Sequence, residues 1–148
     1  DIKKDILLES GHRGYIAGVL DCDGSIWISA DKSGKGKYVK YALRISVSNT
    51  CVALPEWFVK YFGGKATTYV RRSVKWKDEH RWACSGLPAA RVIRICLPYL
   101  VVKHAQGLLA LEFASTIMPG CSRLPDSYHE MRERLYLKML ELNKRGPK

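Results

Sequence analysis

The run Ile16-Ala17-Gly18-Val19-Leu20-Asp21-Cys22-Asp23-Gly24 constrains this chain more than any other stretch. Residues 10 to 23 read as a helix, with Ser10 as its N-cap and Gly24 as its left-handed stop. Ile16, Val19 and Leu20 form an apolar stripe suited to a core, whereas Gly14, Gly18 and Cys22 recur every four residues as a stripe of small side chains. Glycine inside a helix costs about 1 kcal/mol relative to alanine, so two on one face need a reason. Close approach of a second helix is the obvious one, either within the chain or across a two-fold axis. Only one such motif is present, which favours the two-fold axis. Asp21 and Asp23 stand at the helix C-terminus, the end that already carries about half a negative charge. Two carboxylates there imply a bound cation or a buried hydrogen-bonding role.

After Gly24 the apolar period changes from helical to two. Ile26, Ile28 and Ala30 alternate with Ser25, Trp27, Ser29 and Asp31. Residues 32–37, with Gly34 and Gly36, read as a hairpin loop. The next strand alternates Val39, Tyr41, Leu43, Ile45 and Val47 against Tyr38, Lys40, Ala42, Arg44, Ser46 and Ser48. A helix near 54–62 stops at Gly63-Gly64. A second hairpin spans about 65 to 85 and turns at 77–79, with Thr67, Tyr69, Arg71, Ser73, Lys75 and Lys77 on one face of its first strand. Helices follow over about 88–97, 99–117 and 127–145. The last opens on a capping box, Ser127-x-x-Glu130, and runs through the core stripe Tyr128, Met131, Leu135, Met139 and Leu142 to Gly146-Pro147.

The order α-β-β-α-β-β-α with further C-terminal helices defines an α+β fold: an antiparallel sheet covered by helices on one face. Its other face is basic. The net charge is +11, and residues 31 to 82 hold twelve basic against four acidic side chains, +8 of that total. A polyanion is the leading partner, and an anionic membrane surface the lesser one. Ser25, Trp27, Ser29, Lys40, Arg44, Ser46, Tyr69, Arg71, Lys75 and Lys77, joined by Tyr38, are donors and aromatics suited to phosphates and base edges. A strand over 37–48 spans roughly 40 Å at about 3.3 Å per residue, on the order of a dozen base pairs of groove. Single-stranded RNA ranks lower, because no R-G-F-G-F-type motif is present.

Five scattered cysteines without a C-x-x-C pair fit free thiols in a reducing compartment, and the four histidines form no zinc pattern. No stretch of about 18 apolar residues and no signal peptide is visible, so an intracellular location without membrane attachment is expected. The opening at Asp1 rather than methionine points to trimming of a few residues.

The run 16–24 resembles the signature motif of the LAGLIDADG homing endonucleases. A second stretch, Pro98-Tyr99-Leu100-Val101-Val102-Lys103-His104-Ala105-Gln106, resembles that family's P-Y-L-x-x-K-x-x-Q segment. With the element order, the likeness covers nearly the whole length as one domain. It implies a β-sheet saddle on DNA and a single-motif homodimer paired through Gly14, Gly18 and Cys22. It further implies an intron-encoded enzyme that cuts both strands of a long, near-palindromic site across the minor groove.

By the same resemblance Asp23 is the metal-binding carboxylate, and the Cys22 carbonyl lies close enough to assist. Lys103 stands near the scissile phosphate, Asn49 orders water near the metal, and Asp21 braces the motif helices. The implied cofactor is Mg2+, with Mn2+ or Ca2+ able to occupy the site and Ca2+ without turnover. Relatives carry a second basic residue where Ala53 and Leu54 stand here, so Lys75 or another strand residue would have to supply that charge. Plainer roles stay open at this point: Asp23 as a turn residue, Lys103 as a solvated lysine, Asn49 as a helix cap. Two other functions also stay open, an RNA-binding intron maturase and a DNA-binding regulator without cleavage.

Overall fold

The computed structural model describes residues 10–32, 38–121 and 124–144. Helix α1 (Ser10–Asp23) runs directly into strand β1 (Gly24–Asp31), which pairs antiparallel with β2 (Lys40–Asn49). Helix α2 (Ala53–Phe62) leads to β3 (Lys65–Tyr69) and β4 (Glu79–Ser85), and β4 inserts between β2 and β3. Helix α3 (Gly86–Cys96), a 3-10 turn (Leu97–Tyr99), α4 (His104–Ala114) and α5 (Asp126–Leu142) complete the chain. Every neighbouring strand pair in this β1-β2-β4-β3 sheet is antiparallel. The expected α+β fold is the observed one.

The period-two pattern sorts the sheet into two faces. Ile26, Ile28, Leu43, Ile45, Val47 and Trp82 are buried under the helices, against Ile16, Leu20, Ile93, Phe113, Leu135 and Met139. Phe58, Phe62 and Trp82 pack together as tilted rings, and the Trp82 indole donates to the Gly63 carbonyl at 2.7 Å. That bond fixes the end of α2. Gly63 and Gly64 follow it with φ of 70° and 81°, and a Cβ at Gly64 would lie 2.6 Å from the Ala83 carbonyl. The two glycines stop the helix because side chains fit neither backbone conformation nor, at Gly64, the space.

Four sequence expectations need correcting. Gly24 has no left-handed conformation; it is the first residue of β1. What it supplies is room, because a Cβ there would lie 2.6 Å from both Cα and O of Leu20. The long strand after residue 65 stops at Tyr69, whose partner is Glu79, the first residue of β4. Residues 70–78, including Arg71, Lys75 and Lys77, therefore form a loop. A continued strand would have set Val70, Val74 and Trp76 on a face with no core to bury them, and all three are exposed.

The helix expected over 99–117 begins only at His104, since Leu100 is extended and the N–H groups of Val101 and Lys103 bond elsewhere. Finally, α5 starts at Asp126 behind Pro125 without a side-chain cap, so Ser127 sits inside the first turn and the capping box does not form. In its stripe Leu135 and Met139 are buried, but Leu142 is exposed. Residues 33–37 of the first hairpin loop and the 145–148 terminus lie outside the described residues.

Gly24→Ala is expected to destabilise the fold by about 1–3 kcal/mol, the usual cost of forcing atoms into a packed site. Urea unfolding of the two proteins measures it, and equal midpoints would show that the α1–β1 junction has slack.

Candidate active site and nucleic-acid interface

The two carboxylates at the end of α1 have different surroundings. Asp21 accepts the backbone N–H of Val101 at 2.8 Å and that of Lys103 at 2.9 Å, while the Lys103 ammonium donates back to the Asp21 carbonyl oxygen. Burial alone would raise the Asp21 pKa. The N–H groups of Val101, Lys103 and Val102, with the Lys103 charge, outweigh it and hold the carboxyl below its ordinary value of 3.8. Charge-assisted hydrogen bonds contribute about 1.5–3 kcal/mol each, more than the 0.3–1 kcal/mol or so that an acid loses to the dipole at a helix C-terminus. Asp21 is thus the hydrogen-bonding acid of the pair.

Asp23 is exposed, and Oδ2 of its carboxylate accepts from Asn49 Nδ2 at 2.9 Å. Asn49 Oδ1 in turn accepts the Cys51 N–H at 2.8 Å, so the amide is held from both sides at the end of β2. This answers the helix-cap alternative, since the residue before α2 is Val52 and it has no side-chain cap. Lys103 is tied to the α1 terminus rather than freely solvated. The site thus joins Asp23, Asn49 and, through Asp21, Lys103.

A shallow depression of about 450 Å³ opens beside them, lined by Ser25, Trp27, Ser46, Ser48, Arg81, Lys103 and Asn143. Asn143 reaches it from the end of α5 by donating to the Ile26 carbonyl at 2.9 Å. Arg81 was not singled out from the sequence. The signal was its alternation with buried Trp82 on β4, which places it on the open face opposite Ser48. Its Nε donates to Ser48 Oγ at 3.1 Å, Glu79 Oε1 holds its guanidinium at 2.6 Å, and the guanidinium lies 4.8 Å from the Tyr69 ring centre. The bond from Arg81 is the main cause that keeps the Glu79 carboxyl below its ordinary range. Lys75, the cation named from the sequence, lies in the 70–78 loop instead.

Across the open face the register aligns Ser25 with Ser46, and Trp27 with Arg44. Ser29 Oγ takes the Arg44 Nε–H at 2.9 Å, which orients that guanidinium. Lys40 and Tyr69 lie on the same face, as expected. Tyr38 does not: it stacks on His129 of α5 with ring centres 4.0 Å apart. On α1, Gly18 and Cys22 are exposed, and a Cβ at Gly14 or Gly18 would meet nothing within 4 Å.

Oxygen donors at a helix C-terminus suit a hard divalent cation. Among the described residues no three His, Cys, Asp or Glu side chains converge, so Asp23 and the neighbouring Cys22 carbonyl fit such an ion only with phosphate, water or a second copy completing the shell. All five cysteines are free; burial pushes the Cys84 and Cys96 thiols up to about 12, which leaves them inert at neutral pH. Among the described residues no helix is long and apolar enough to cross a membrane.

No protein-family model matches this sequence, and no curated protein does. Solved structures do match. The homing endonuclease I-CvuI, in complex with its target in the presence of calcium, aligns with a TM-score of 0.68 at 21% identity over 92% of this chain and 83% of that one. The archaeal intron-encoded homing endonuclease I-Vdi141I, complexed with DNA, aligns with a TM-score of 0.73 at 16% identity over 92% and 86%. The LAGLIDADG homing endonuclease I-SmaMI, bound to cleaved DNA, aligns with a TM-score of 0.66 at 16% identity, over 89% of this chain and only 45% of its own. The fold of this chain is that of the LAGLIDADG homing endonucleases.

Asp21→Ala is expected to cost about 1–2 kcal/mol in urea unfolding, less than the sum of its hydrogen bonds because water can replace the acceptor at the exposed Val101 N–H. Asp23→Asn is expected to stay within about 0.5 kcal/mol of wild type. The Asp21 carboxyl is depressed on folding, so its contribution is present above its unfolded value of 3.8 and lost as pH falls through the lower folded one. The stability gap between wild type and Asp21→Ala should therefore narrow below about pH 4; a gap unchanged by pH would show that the carboxylate charge contributes nothing.

Proposed function

We propose that this chain is a site-specific DNA endonuclease of the LAGLIDADG type that hydrolyses both strands of a duplex as a homodimer. The observation that carries the reading is the Asp23–Asn49 pair beside Lys103, at one end of a sheet whose open face presents Arg44, Arg81, Lys40 and Lys65. Phosphodiester hydrolysis needs an activated water and neutralisation of charge on the phosphoryl oxygens. A divalent cation, Mg2+ first, held by Asp23 and the Cys22 carbonyl, would supply Lewis-acid polarisation of water and phosphate. Asn49 orients the carboxylate that receives it. Lys103 and Arg81, both lining the depression, offer donors to the non-bridging phosphoryl oxygens, and Arg81 is the cation we assign in place of Lys75. Ser25, Trp27, Ser29 and Tyr69 complete the surface that lies on the duplex; Ser46, expected there from the sequence, is only 6% exposed between its neighbouring strands and is left out of it.

Two observations support the homodimer. A single chain offers one exposed carboxylate at this site, Asp23, and among the described residues nothing lies within 4 Å of a Cβ built at Gly14 or Gly18 of the small-residue stripe. I-CvuI and I-Vdi141I are matched over most of their length, whereas I-SmaMI is about twice as long as the shared fold. Replacing Gly18 with leucine should prevent close pairing and leave a folded monomer by sedimentation velocity. A dimer that survives the change would place the interface elsewhere.

Incubating wild type and Asp23→Asn with a randomised duplex library and Mg2+ tests the chemistry. Discrete double-strand cuts that vanish in the variant are expected. Specific binding without cuts by either protein points to a regulator, and preference for intron RNA over duplex to a maturase.

A further inference from the structure

Strands β3 and β4 are joined by nine residues, 70–78, where two to five suffice for a hairpin. The extra length is built rather than slack. At its neck the Arg71 N–H donates to Asp78 Oδ1 at 2.9 Å, and the Arg71 guanidinium meets Glu79 Oε2 at 2.6 Å. At its tip the Trp76 N–H donates to the Ser73 carbonyl at 3.1 Å, closing a turn. That turn holds two apolar side chains away from the protein: Val74 is 104% exposed and Trp76 69% exposed. Arg72, Lys75 and Lys77 surround them.

Exposed apolar side chains flanked by cations call for a partner that carries negative charge and apolar surface together. They match an anionic lattice with flat apolar surfaces between its charges, which is what stacked bases between phosphates are. The position of the loop agrees. Tyr69 pairs with Glu79, and the next residue, His80, pairs with Asn49. The loop therefore leaves the sheet at the end that holds Asn49 and Asp23, while the first hairpin loop leaves from the opposite end, beyond Asp31 and Lys40.

We propose that the 70–78 loop is a DNA wedge that sets Trp76, with Val74, against a base step near the cut while Arg72, Lys75 and Lys77 hold the flanking phosphates. This rests on the endonuclease reading and goes beyond it. Aromatic contact with the exposed base, together with the flanking phosphate contacts, offsets the cost of partial unstacking. The balance is most favourable at flexible pyrimidine–purine steps, so the loop would select sequence there without a hydrogen bond to any base.

The test titrates wild type, Trp76→Ala, Trp76→Phe and the double variant Lys75→Ala/Lys77→Ala onto a mixed-sequence duplex. It repeats the titration, in Ca2+, on the duplex recovered from the cleavage selection with 2-aminopurine at successive steps. Wild type should brighten one step, as an unstacked 2-aminopurine does. Trp76→Ala should lose that signal and bind about tenfold more weakly with its salt dependence unchanged. Trp76→Phe should restore both. The lysine variant should keep the bright step but flatten the slope of log K against log salt by about 1–2. Trp76→Ala that binds as tightly and brightens the same step overturns the wedge and leaves the endonuclease reading intact. Wild type that binds neither duplex overturns both.

Discussion

The grip between the end of α1 and residues 101–103 is the interaction on which the rest of the site depends. Asp21 takes two backbone N–H groups from a segment about eighty positions further along the chain, and Lys103 returns a bond to the Asp21 carbonyl. A helix running through 99–103 would have used those N–H groups internally. By giving them to Asp21, the chain breaks after the 3-10 turn, restarts at His104, and leaves Lys103 at the rim of the open sheet face. One interaction therefore ends a helix, starts another and places a cation. It also settles the electrostatic conflict at the α1 terminus. The hydrogen-bonded acid is stabilised by more than the helix dipole costs it. Asp23, two residues on, has one amide partner and an exposed remainder, which is the arrangement a ligand-binding carboxylate needs.

The open face shows a second use of fixed partners. An acid on a surface proposed to meet a polyanion would oppose binding, yet Glu79 is held there by Arg71 and Arg81, with Arg81 also fixed by Ser48. A free arginine side chain loses about 2 kcal/mol of rotamer entropy when it is pinned. Arg81 has met part of that cost in the folded protein, as Arg44 has through Ser29, so less would remain to be lost on the proposed contact with DNA. The negative charge of Glu79 weakens long-range attraction slightly; the sheet keeps enough surplus lysine and arginine for that to matter little.

What the sequence made legible follows from what each pattern encodes. The two faces of the sheet were readable because burial on one side of a strand enforces period two, and Leu43, Ile45 and Val47 admit no other reading. The Asp23–Asn49–Lys103 set came from the family resemblance, not from spacing. Spacing could not reveal that Asn49 touches Asp23, since the two meet only through the β1–β2 register. Alternation misled where no partner strand limited it: Thr67 to Lys77 keeps period two, but pairing ends at Tyr69. Gly24 reads as a helix stop because a glycine that avoids a clash with Leu20 looks the same in sequence as one that supplies a left-handed turn. A lone arginine in a basic stretch carries no local signal, and the place of Arg81 in the site arises only from its pairing across β2 and from Glu79.

On the proposed pairing, the small-residue stripe and the chemistry are coupled by more than proximity. Gly14 and Gly18 lie on the same helix that ends in Asp23, about two and a half and one and a half turns back. Whatever separation the paired helices adopt is passed along a rigid element to the two carboxylates. Any side chain larger than glycine would push the axes apart and move both Asp23 groups outward together. A cation held by these carboxylates would tolerate displacement of only a fraction of an ångström. The two glycines cost the isolated helix about 2 kcal/mol. That cost is intelligible when the quantity they set is the distance between two cuts rather than the strength of association alone.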